Sequence, residues 1–320
     1  MVLAGKHSSR WILEADIKGC FDHISHEWLL ENIPINKKVL KQWLTCGFVK
    51  DKHWFPTKEG TPQGGIISPT LANMALDGLE KVVNRTGGVT RYVQEVSKRS
   101  KYKIHFVRYA DDFIITSNSR EFLENKIKPA VVEFLKVRGL SLSEEKTQIT
   151  HIEDGFDFLG QNVRKYKGKL LTMPSKKSYK AIMKKIREVI EKFKAISAYR
   201  LIRILNPIIR GWTNYHRKVI SSRTFTKLDN DIFWKILKWT HRRHNNKSKQ
   251  WIKDKYFKSI GKRDWIFFGE EKGKTATLFQ AQSVKICRHL KIKMKANPFD
   301  KSWNKYFEIR KREGLDMRLL

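Results

Sequence analysis

Three carboxylates at two places in the sequence could bind divalent cations together. Asp16 ends a run that predicts a β-strand, and Asp111 and Asp112 lie at the turn of a predicted hairpin. If these strands are neighbours in one sheet, their ends bring the carboxylates together, and such a cluster repels itself unless hard cations such as Mg²⁺ neutralise it. Two ions side by side can activate a hydroxyl and stabilise a leaving oxygen, which is phosphoryl transfer. The alternative is structural, because Asp-Asp also makes a good turn.

The residue pattern predicts which strands and helices surround these carboxylates. Strands are predicted at 11–17, within 104–116 and near 147–152, where β-branched and aromatic residues are frequent. Helices are predicted within 25–50 with an interruption at Pro34, from Thr70 to Val83, and at 121–138. This alternation predicts an α+β fold whose sheet is covered on one face.

The second half of the chain has a different pattern. Residues 178–196, 198–218 and 225–243 predict helices with one apolar stripe and basic residues elsewhere. From about residue 245 the chain is rich in Lys, Trp and Tyr. The second half is therefore predicted to be a helical region followed by a basic tail.

The net charge is concentrated in that second half. The chain has 66 Lys and Arg against 32 Asp and Glu, a formal charge of +34. Residues 1–160 carry 23 basic and 20 acidic side chains, and residues 161–320 carry 43 and 12. So large a positive charge repels itself unless a polyanion binds, and nucleic acid is the usual one. This asymmetry predicts a nearly neutral catalytic domain followed by a domain that binds nucleic acid.

Cysteine spacing and hydropathy exclude several protein classes. Cys20, Cys46 and Cys287 are far apart and form no C-x-x-C pair, which excludes a disulfide framework and a zinc site of ordinary spacing. The longest charge-free stretch, 60–76, is broken by prolines and glycines, so no membrane helix is expected. The absence of a secretory signal favours a bacterial cytoplasm or an organelle.

Short motifs occur along the chain in the order of one enzyme family. They are D-x-x-x-x-F at Asp16–Phe21, GTPQGG at 60–65, YADD at 109–112, a Gly139…Glu145-Lys146 segment and FLG at 158–160. In this order they resemble the palm of reverse transcriptases. The tracts IKGCFDHISHEWLL, GTPQGGIISPTLANMALDGLE and ILNPIIRGWTNYHR make the chain more similar to the reverse transcriptase/maturases of group II introns. The resemblance implies RNA-directed DNA synthesis, and binding of intron RNA to promote splicing and mobility.

The same resemblance assigns roles in the first half. Asp16 and Asp111 would bind two Mg²⁺ ions with help from the backbone carbonyl of Ile17, and Asp112 would complete the catalytic cluster. The implied substrates are deoxynucleotides, and the implied partners are the intron RNA and target DNA.

Other implied residues would position the substrates. Phe21 would crowd a ribose 2′-hydroxyl, Gln63 and Gly64 would lie against the template and the incoming nucleotide, and Lys146 would protonate pyrophosphate. Phe158, Leu159 and Gly160 resemble the primer-grip turn. Each of these residues also has a structural alternative. Phe21 would be a core aromatic, Gln63 and Gly64 part of a loop that starts a helix, and Lys146 a solvated lysine. Residues 158–160 would be a Phe-Leu pair before a glycine turn.

The second half resembles the maturase domain, which also serves as the polymerase thumb. The implied RNA-binding residues are Arg210, Trp212, Tyr215, Arg242 and Arg243. Basic and aromatic residues together suit RNA, through phosphate contacts and stacking on unpaired bases. For Trp212, Tyr215, Trp234 and Trp239, packing between helices is the favoured interpretation, and the arginines are the better RNA candidates.

The sequence thus predicts a palm at 1–160, a thumb/maturase domain at 161–260 and a basic DNA-binding-like tail at 261–320. Family members usually carry fingers before the first acidic strand, and many carry a Cys-rich HNH nuclease. Only 15 residues precede Asp16, and no C-x-x-C pair occurs. The expectation is a polymerase without its own fingers, for which an N-terminal fragment supplied in trans and a homodimer are both open. The alternatives are a polymerase-inactive, RNA-binding maturase fragment and a decayed intron reading frame.

Overall fold

The computed structural model describes residues 3–5, 7–61, 65–88, 101–261, 263–287, 292–293 and 296–312. The chain forms two compact units, Met1–Thr172 and Met173–Leu320. The division falls after Thr172, whereas the sequence placed it after Gly160. The reason is that residues Phe156 to Leu170 pack with the central sheet of the first unit.

The first unit is built on a four-stranded antiparallel sheet. The strands of this unit, the last of which runs past the boundary, are β1 (Trp11–Ala15), β2 (Phe48–Lys50), β3 (His53–Phe55), β4 (His105–Tyr109), β5 (Asp112–Ser117), β6 (Gln148–His151), β7 (Phe156–Phe158), β8 (Gln161–Tyr166) and β9 (Lys169–Pro174). The order in the central sheet is β4-β5-β1-β6. Leu13 and Ile115 face the main core, whereas Ile12 and Ile114 pack against Phe156. The sheet is therefore covered on both faces, and the prediction of one covered face was wrong.

Short helices cover the main core. They are α1 (Cys20–His23), α2 (His26–Asn32), α3 (Lys37–Thr45), α4 (Ser68–Ala75), α5 (Leu79–Thr86), and α6 (Arg120–Phe122), which continues through a π-helical turn (Leu123–Ile127) into α7 (Lys128–Lys136). Pro34 separates α2 from α3, as predicted. The single helix predicted from Thr70 to Val83 is instead two, because Gly78 has a φ of +88°, a left-handed conformation that a helix cannot contain.

The second unit combines long helices with a small sheet. Its helices are α8 (Lys176–Lys192), α9 (Ala198–His216), α10 (Ser222–Arg243), α11 (Lys249–Tyr256) and α12 (Asn304–Arg312), and its strands are β10 (Phe257–Ile260), β11 (Arg263–Glu271) and β12 (Lys274–Thr277). The three long helices agree with the predicted ones. Within the described residues, no helix is both long enough and apolar enough to cross a membrane.

The small sheet belongs to the core of the second unit. Phe267 and Leu278 are buried in the same cluster as Trp239 of α10. β11 also approaches α9 closely, because a Cβ on Gly269 would lie 2.2 Å from the backbone nitrogen of Tyr199. The region after residue 260, predicted as a basic tail, therefore begins with a packed sheet.

Candidate functional site

The three acidic residues of the first unit lie at one end of the central sheet. β1 and β5 pair in an antiparallel register that sets Ala15 opposite Phe113. Asp16 directly follows Ala15, and Asp112 directly precedes Phe113 at the start of β5. Asp111 occupies the tight turn that joins β4 to β5. All three residues thus stand at the same end of adjacent strands.

A lysine neutralises one of these carboxylates. Nζ of Lys146 lies 2.9 Å from Oδ2 of Asp16, and the two side chains are 67% and 22% exposed. The hydrogen bond and the charge of Asp16 raise the pKa of Lys146 above its ordinary value, and the charges of Asp112 and Asp111 add to this effect. All three carboxylates therefore raise the pKa of the same ammonium group, that of Lys146.

The thiol of Cys20 lies in the same negative field. Burial, followed by the charges of Asp111, Asp16 and Asp22, raises the pKa of Cys20 to about 12 against the opposing charge of Arg108. The thiol is thus protonated at neutral pH, so Cys20 presents no thiolate nucleophile. In the sequence, Cys20 was informative only through its lack of a C-x-x-C partner.

The oxygen donors at this end of the sheet suit a hard cation. Carboxylates are the side chains that Mg²⁺ prefers, usually together with phosphate oxygens and water. Among the residues that the structure describes, no three His, Cys, Asp or Glu side chains are close enough together to hold an ion. Asp16 is bonded to Lys146 instead. The donor chemistry of these side chains therefore fits Mg²⁺.

The loop that carries Lys146 is tied to the residues after β1. The backbone nitrogen of Ser143 donates to the carbonyl of Asp16 at 2.8 Å, and that of Lys18 donates to a loop carbonyl at 3.0 Å. Ile17, between them, is buried. The carbonyl of Ile17 is not the acceptor in either of these two hydrogen bonds. This arrangement fixes the position of Lys146 beside Asp16.

The GTPQGG loop starts against Phe21. The half-buried Phe21 packs on the main core, and its carbonyl accepts a hydrogen bond from the backbone nitrogen of Thr61 at 2.6 Å. Gly60 has a φ of +71°, and a Cβ there would lie 2.3 Å from the Phe21 carbonyl oxygen. Only glycine fits this approach. Gln63 and Gly64 lie outside the described residues.

Arg108 connects the acidic hairpin with α4. Its Nη1 donates to Oδ1 of Asn73 at 3.0 Å and to the carbonyl of Ala110 at 2.9 Å. Ala110 has a φ of +54°, so this bond supports a strained turn residue next to Asp111. Sequence analysis missed this link, because Arg108 and Asn73 carry no local signal that they are partners.

The FLG segment forms a two-residue turn. Phe158 of β7 pairs with Gln161 of β8, and Leu159 and Gly160 between them have φ values of +49° and +72°. Two consecutive positive φ angles are typical of a type I′ turn, which favours Asn and Gly. Leu159 is therefore strained, and the assignment of this turn to the primer stays a prediction.

Among the predicted RNA-binding residues of the second unit, three are exposed. They are Arg210, Tyr215 and Arg242, with Tyr215 53% exposed. Trp234 is also exposed, at 59%. The packing interpretation is therefore wrong for Tyr215 and Trp234.

The other two predicted residues make contacts inside the second unit. Nε1 of Trp212 donates to Oγ of Ser178 at 3.0 Å, and the indole packs on the core. The guanidinium of Arg243 lies 4.6 Å from the ring centroid of Trp239, which is 4% exposed, and donates to a carbonyl of the loop before α9. The packing interpretation is confirmed for Trp212 and Trp239, and a role of Arg243 in RNA binding stays a prediction.

Comparison with protein families gives two matches. Residues 2–163 match the reverse transcriptase (RNA-dependent DNA polymerase) family. Residues 179–257 match the group II intron, maturase-specific domain. The two matches fall in the first and second units respectively.

Several curated proteins are similar to the chain. It is 30% identical over 213 residues to the group II intron-encoded protein LtrA of Lactococcus lactis subsp. cremoris, covering 49% of this chain and 35% of that protein. It is 26% identical over 281 residues to a 91 kDa protein in the cob intron of Schizosaccharomyces pombe, covering 64% and 34%. With Protein YkfC of Escherichia coli K12 it shares 26% identity over 191 residues, covering 50% and 48%. The alignments thus span about a third to a half of each relative.

Among solved structures, two telomerases are similar. Apo telomerase from Candida tropicalis matches with a TM-score of 0.36 and 16% identity, covering 48% of this chain and 34% of that one. Telomerase from Candida albicans, in complex with a fragment of telomeric RNA, matches with a TM-score of 0.38 and 14% identity, covering 74% and 43%.

Proposed function

The chain belongs to the reverse transcriptase family and carries a group II intron maturase domain, and on this premise we propose that it synthesises DNA on an RNA template and binds intron RNA to assist splicing and mobility. The observation that supports this most directly is the position of Asp16, Asp111 and Asp112 at one end of one sheet. The matched relatives are longer proteins, so substrates and partners are part of the proposal.

In the proposed reaction, the 3′-hydroxyl of a primer loses its proton to water and its oxygen bonds to the α-phosphorus of a deoxynucleotide. The bond from that phosphorus to the pyrophosphate oxygen breaks, and pyrophosphate leaves. Asp16 and Asp111, with the carbonyl of Ile17, would hold two Mg²⁺ ions, and Asp112 would add negative charge. Such ions, when bound, activate the attacking hydroxyl and stabilise the leaving oxygen. Lys146, whose raised pKa keeps it protonated, donates its proton to the departing pyrophosphate.

Neighbouring residues position the nucleotides in this proposal. Phe21 excludes a ribose 2′-hydroxyl, and Gln63 and Gly64 act on the template and the incoming nucleotide. The turn at Leu159 and Gly160 supports the primer. Positioning of this kind can account for about 7–11 kcal/mol of a barrier.

The second unit supplies RNA binding. Residues 173–320, which form this unit, carry 39 basic and 12 acidic side chains, and each phosphate that they neutralise releases a counterion. Arg210, Tyr215 and Arg242 are exposed for contact with intron RNA. The same positive charge suits target DNA, in the bacterial cytoplasm or organelle where the intron is transcribed.

Primer extension tests the polymerase proposal. The full chain is given an RNA template, a DNA primer, deoxynucleotides and Mg²⁺, beside the double variant Asp111→Ala, Asp112→Ala. Asp22→Asn is the matched control, because Asp22 is a nearby carboxylate outside the cluster. We expect extension by wild type and the control and none by the double variant. Undiminished extension by the double variant would overturn the proposal.

RNA binding is measured on the same proteins. Affinity for structured RNA should fall steeply with salt and should be equal in wild type and the double variant. RNA binding without any extension by wild type would favour the alternative of a polymerase-inactive maturase.

A further inference from the structure

A basic groove runs between α8 and α10 in the second unit. Its cations are Lys180, Lys184 and Arg187 on α8, and Lys235 and Lys238 on α10, with Trp234 among them. On α8 the cations are separated by four and three residues, so they form one stripe with steps of about 4.5–6 Å along the helix axis. The basic groove therefore presents two facing rows of positive charge.

An indole ring is exposed inside this groove. Trp234 is 59% exposed, whereas Trp239, five residues later on α10, is 4% exposed. Trp239 packs in the core of the unit, and Trp234 lies outside that cluster. Its ring makes an edge contact with Phe233, 5.4 Å between the ring centroids, and its exposed part can contact a ligand that enters the basic groove.

Few acidic groups compensate the cations of the groove: Lys184 Nζ lies 3.9 Å from Oε1 of the exposed Glu188, outside the lining. Asp231 is the one carboxylate among the lining residues, and its Oδ2 accepts a hydrogen bond from the hydroxyl of Tyr179 at 2.6 Å. Burial and this bond raise the pKa of Tyr179, so the hydroxyl stays a donor. Met183, which is buried, adds apolar surface beside them. The lining thus combines the bonded Tyr179 and Asp231 and the apolar Met183 with five cations.

We propose that the basic groove binds an unpaired segment of RNA, with one base stacked on Trp234 and the flanking phosphates on Lys180, Lys184 and Lys238. Stacking on an exposed aromatic ring needs a base whose face is free, which a duplex does not offer. Lysines on both sides of the ring match the backbone on both sides of that base. The inference rests on the proposed function and names the form of RNA that this unit prefers.

Fluorescence anisotropy of the full chain tests the stacking contact. The probes are a fluorescein-labelled 12-nucleotide oligouridylate and a blunt 12-base-pair RNA duplex. Trp234→Ala should weaken binding of the single strand by about 5- to 150-fold, the range for loss of one stacked base, and should change duplex binding little. Trp234→Phe should stay close to wild type. Equal losses for both probes, or no loss for the single strand, would overturn the inference.

A matched pair of charge variants tests the phosphate contacts. The groove variant carries Lys180→Gln, Lys184→Gln and Lys238→Gln. The control variant carries Lys177→Gln, Lys185→Gln and Arg223→Gln, which removes three exposed charges from the same helices outside the lining. Each phosphate contact to a single strand contributes about 0.7 to the slope of log affinity against log salt, so the groove variant should lower that slope by about 2.

The outcomes separate this inference from the proposed function. Equal losses in the groove and control variants, with wild type still binding RNA, would overturn the groove assignment and leave the proposed function standing. Failure of wild type to bind either probe would overturn both.

Discussion

The ammonium group of Lys146 lies 2.9 Å from Oδ2 of Asp16, although 130 residues separate them in the chain. The loop before β6 holds this contact in place through the backbone bond from Ser143 to Asp16. One ion pair thus links a proposed metal ligand with the proposed proton donor. Substitutions of Lys146 consequently affect both metal binding and proton transfer.

Two substitutions of Lys146 separate these effects. Lys146→Gln removes both the proton and the positive charge, and Lys146→Arg keeps the charge but cannot give up its proton. General acid catalysis contributes about 10²–10⁴-fold, so kcat should fall by about this factor in both variants. Lys146→Gln alone should need less Mg²⁺ for half-maximal extension, because no cation competes for Asp16. Steady-state extension across a Mg²⁺ series measures both values. Wild-type kcat in Lys146→Arg would contradict the proton-donor role.

Gly60→Ala should impair extension through a steric effect. An added Cβ would lie 2.3 Å from the Phe21 carbonyl, so the loop after it must shift, and a shift of 1 Å can cost about 100-fold in rate. Gly88→Ala is the matched control, because Gly88 has a similar φ of +70° and nothing within 4 Å of the added atom. Primer extension rates compare the two variants. Equal effects would show that backbone strain alone is responsible.

Phe21→Val should relax sugar selection. A smaller side chain leaves room for a 2′-hydroxyl. A steric difference of this size accounts for about 10–200-fold discrimination between substrates, so the preference for deoxynucleotides over ribonucleotides should fall by about this factor. The measurement is kcat/KM for ribonucleotides and deoxynucleotides on the same template and primer. The deoxynucleotide value should change little, since the Phe21 carbonyl that holds the loop is backbone. Unchanged discrimination would assign Phe21 to core packing.

The buried His216 should make the stability of the second unit depend on pH. Its Nε2 lies 3.1 Å from Oγ of Ser178, and its Nδ1 has no hydrogen-bond partner among the described residues. Burial lowers the pKa of His216 from 6.5 to about 4. Between pH 6.5 and about pH 4, His216 is protonated in the unfolded chain and neutral in the folded chain. Stability is therefore complete above pH 6.5 and falls as the pH drops towards 4.

Urea denaturation at pH 7 and pH 5, followed by tryptophan fluorescence, measures this effect. The free energy of unfolding should fall by about 1.4 kcal/mol per pH unit inside the window. His216→Asn removes the titrating group and should flatten the dependence. The same slope in wild type and variant would contradict the assignment to His216.

Local patterns were sufficient to predict the elements that carry the acidic residues. The β-branched run around Asp111 and Asp112 predicted the hairpin, because alternation and a tight turn are encoded within a dozen residues. The apolar stripes of α8 and α9 likewise predicted their helices.

Features that depend on distant partners could not be predicted in this way. Gly78 interrupts an otherwise regular apolar stripe between α4 and α5. The sequence around an isolated glycine does not indicate whether its φ is positive. The bond from Arg108 to Asn73 joins residues on different elements. The exposure of Trp234 depends on which face of α10 meets its neighbours, and composition alone made packing the expected outcome for a tryptophan.

Counting the ions bound at Asp16, Asp111 and Asp112 tests the central claim most directly. Mn²⁺, which prefers the same oxygen ligands as Mg²⁺, is titrated into the full chain with an RNA template, a primer lacking its 3′-hydroxyl and a deoxynucleotide, and free Mn²⁺ is followed by electron paramagnetic resonance. Wild type and Asp22→Asn should each hold two ions more than the double variant Asp111→Ala, Asp112→Ala. The same number of bound ions in all three proteins would contradict a metal site at these carboxylates.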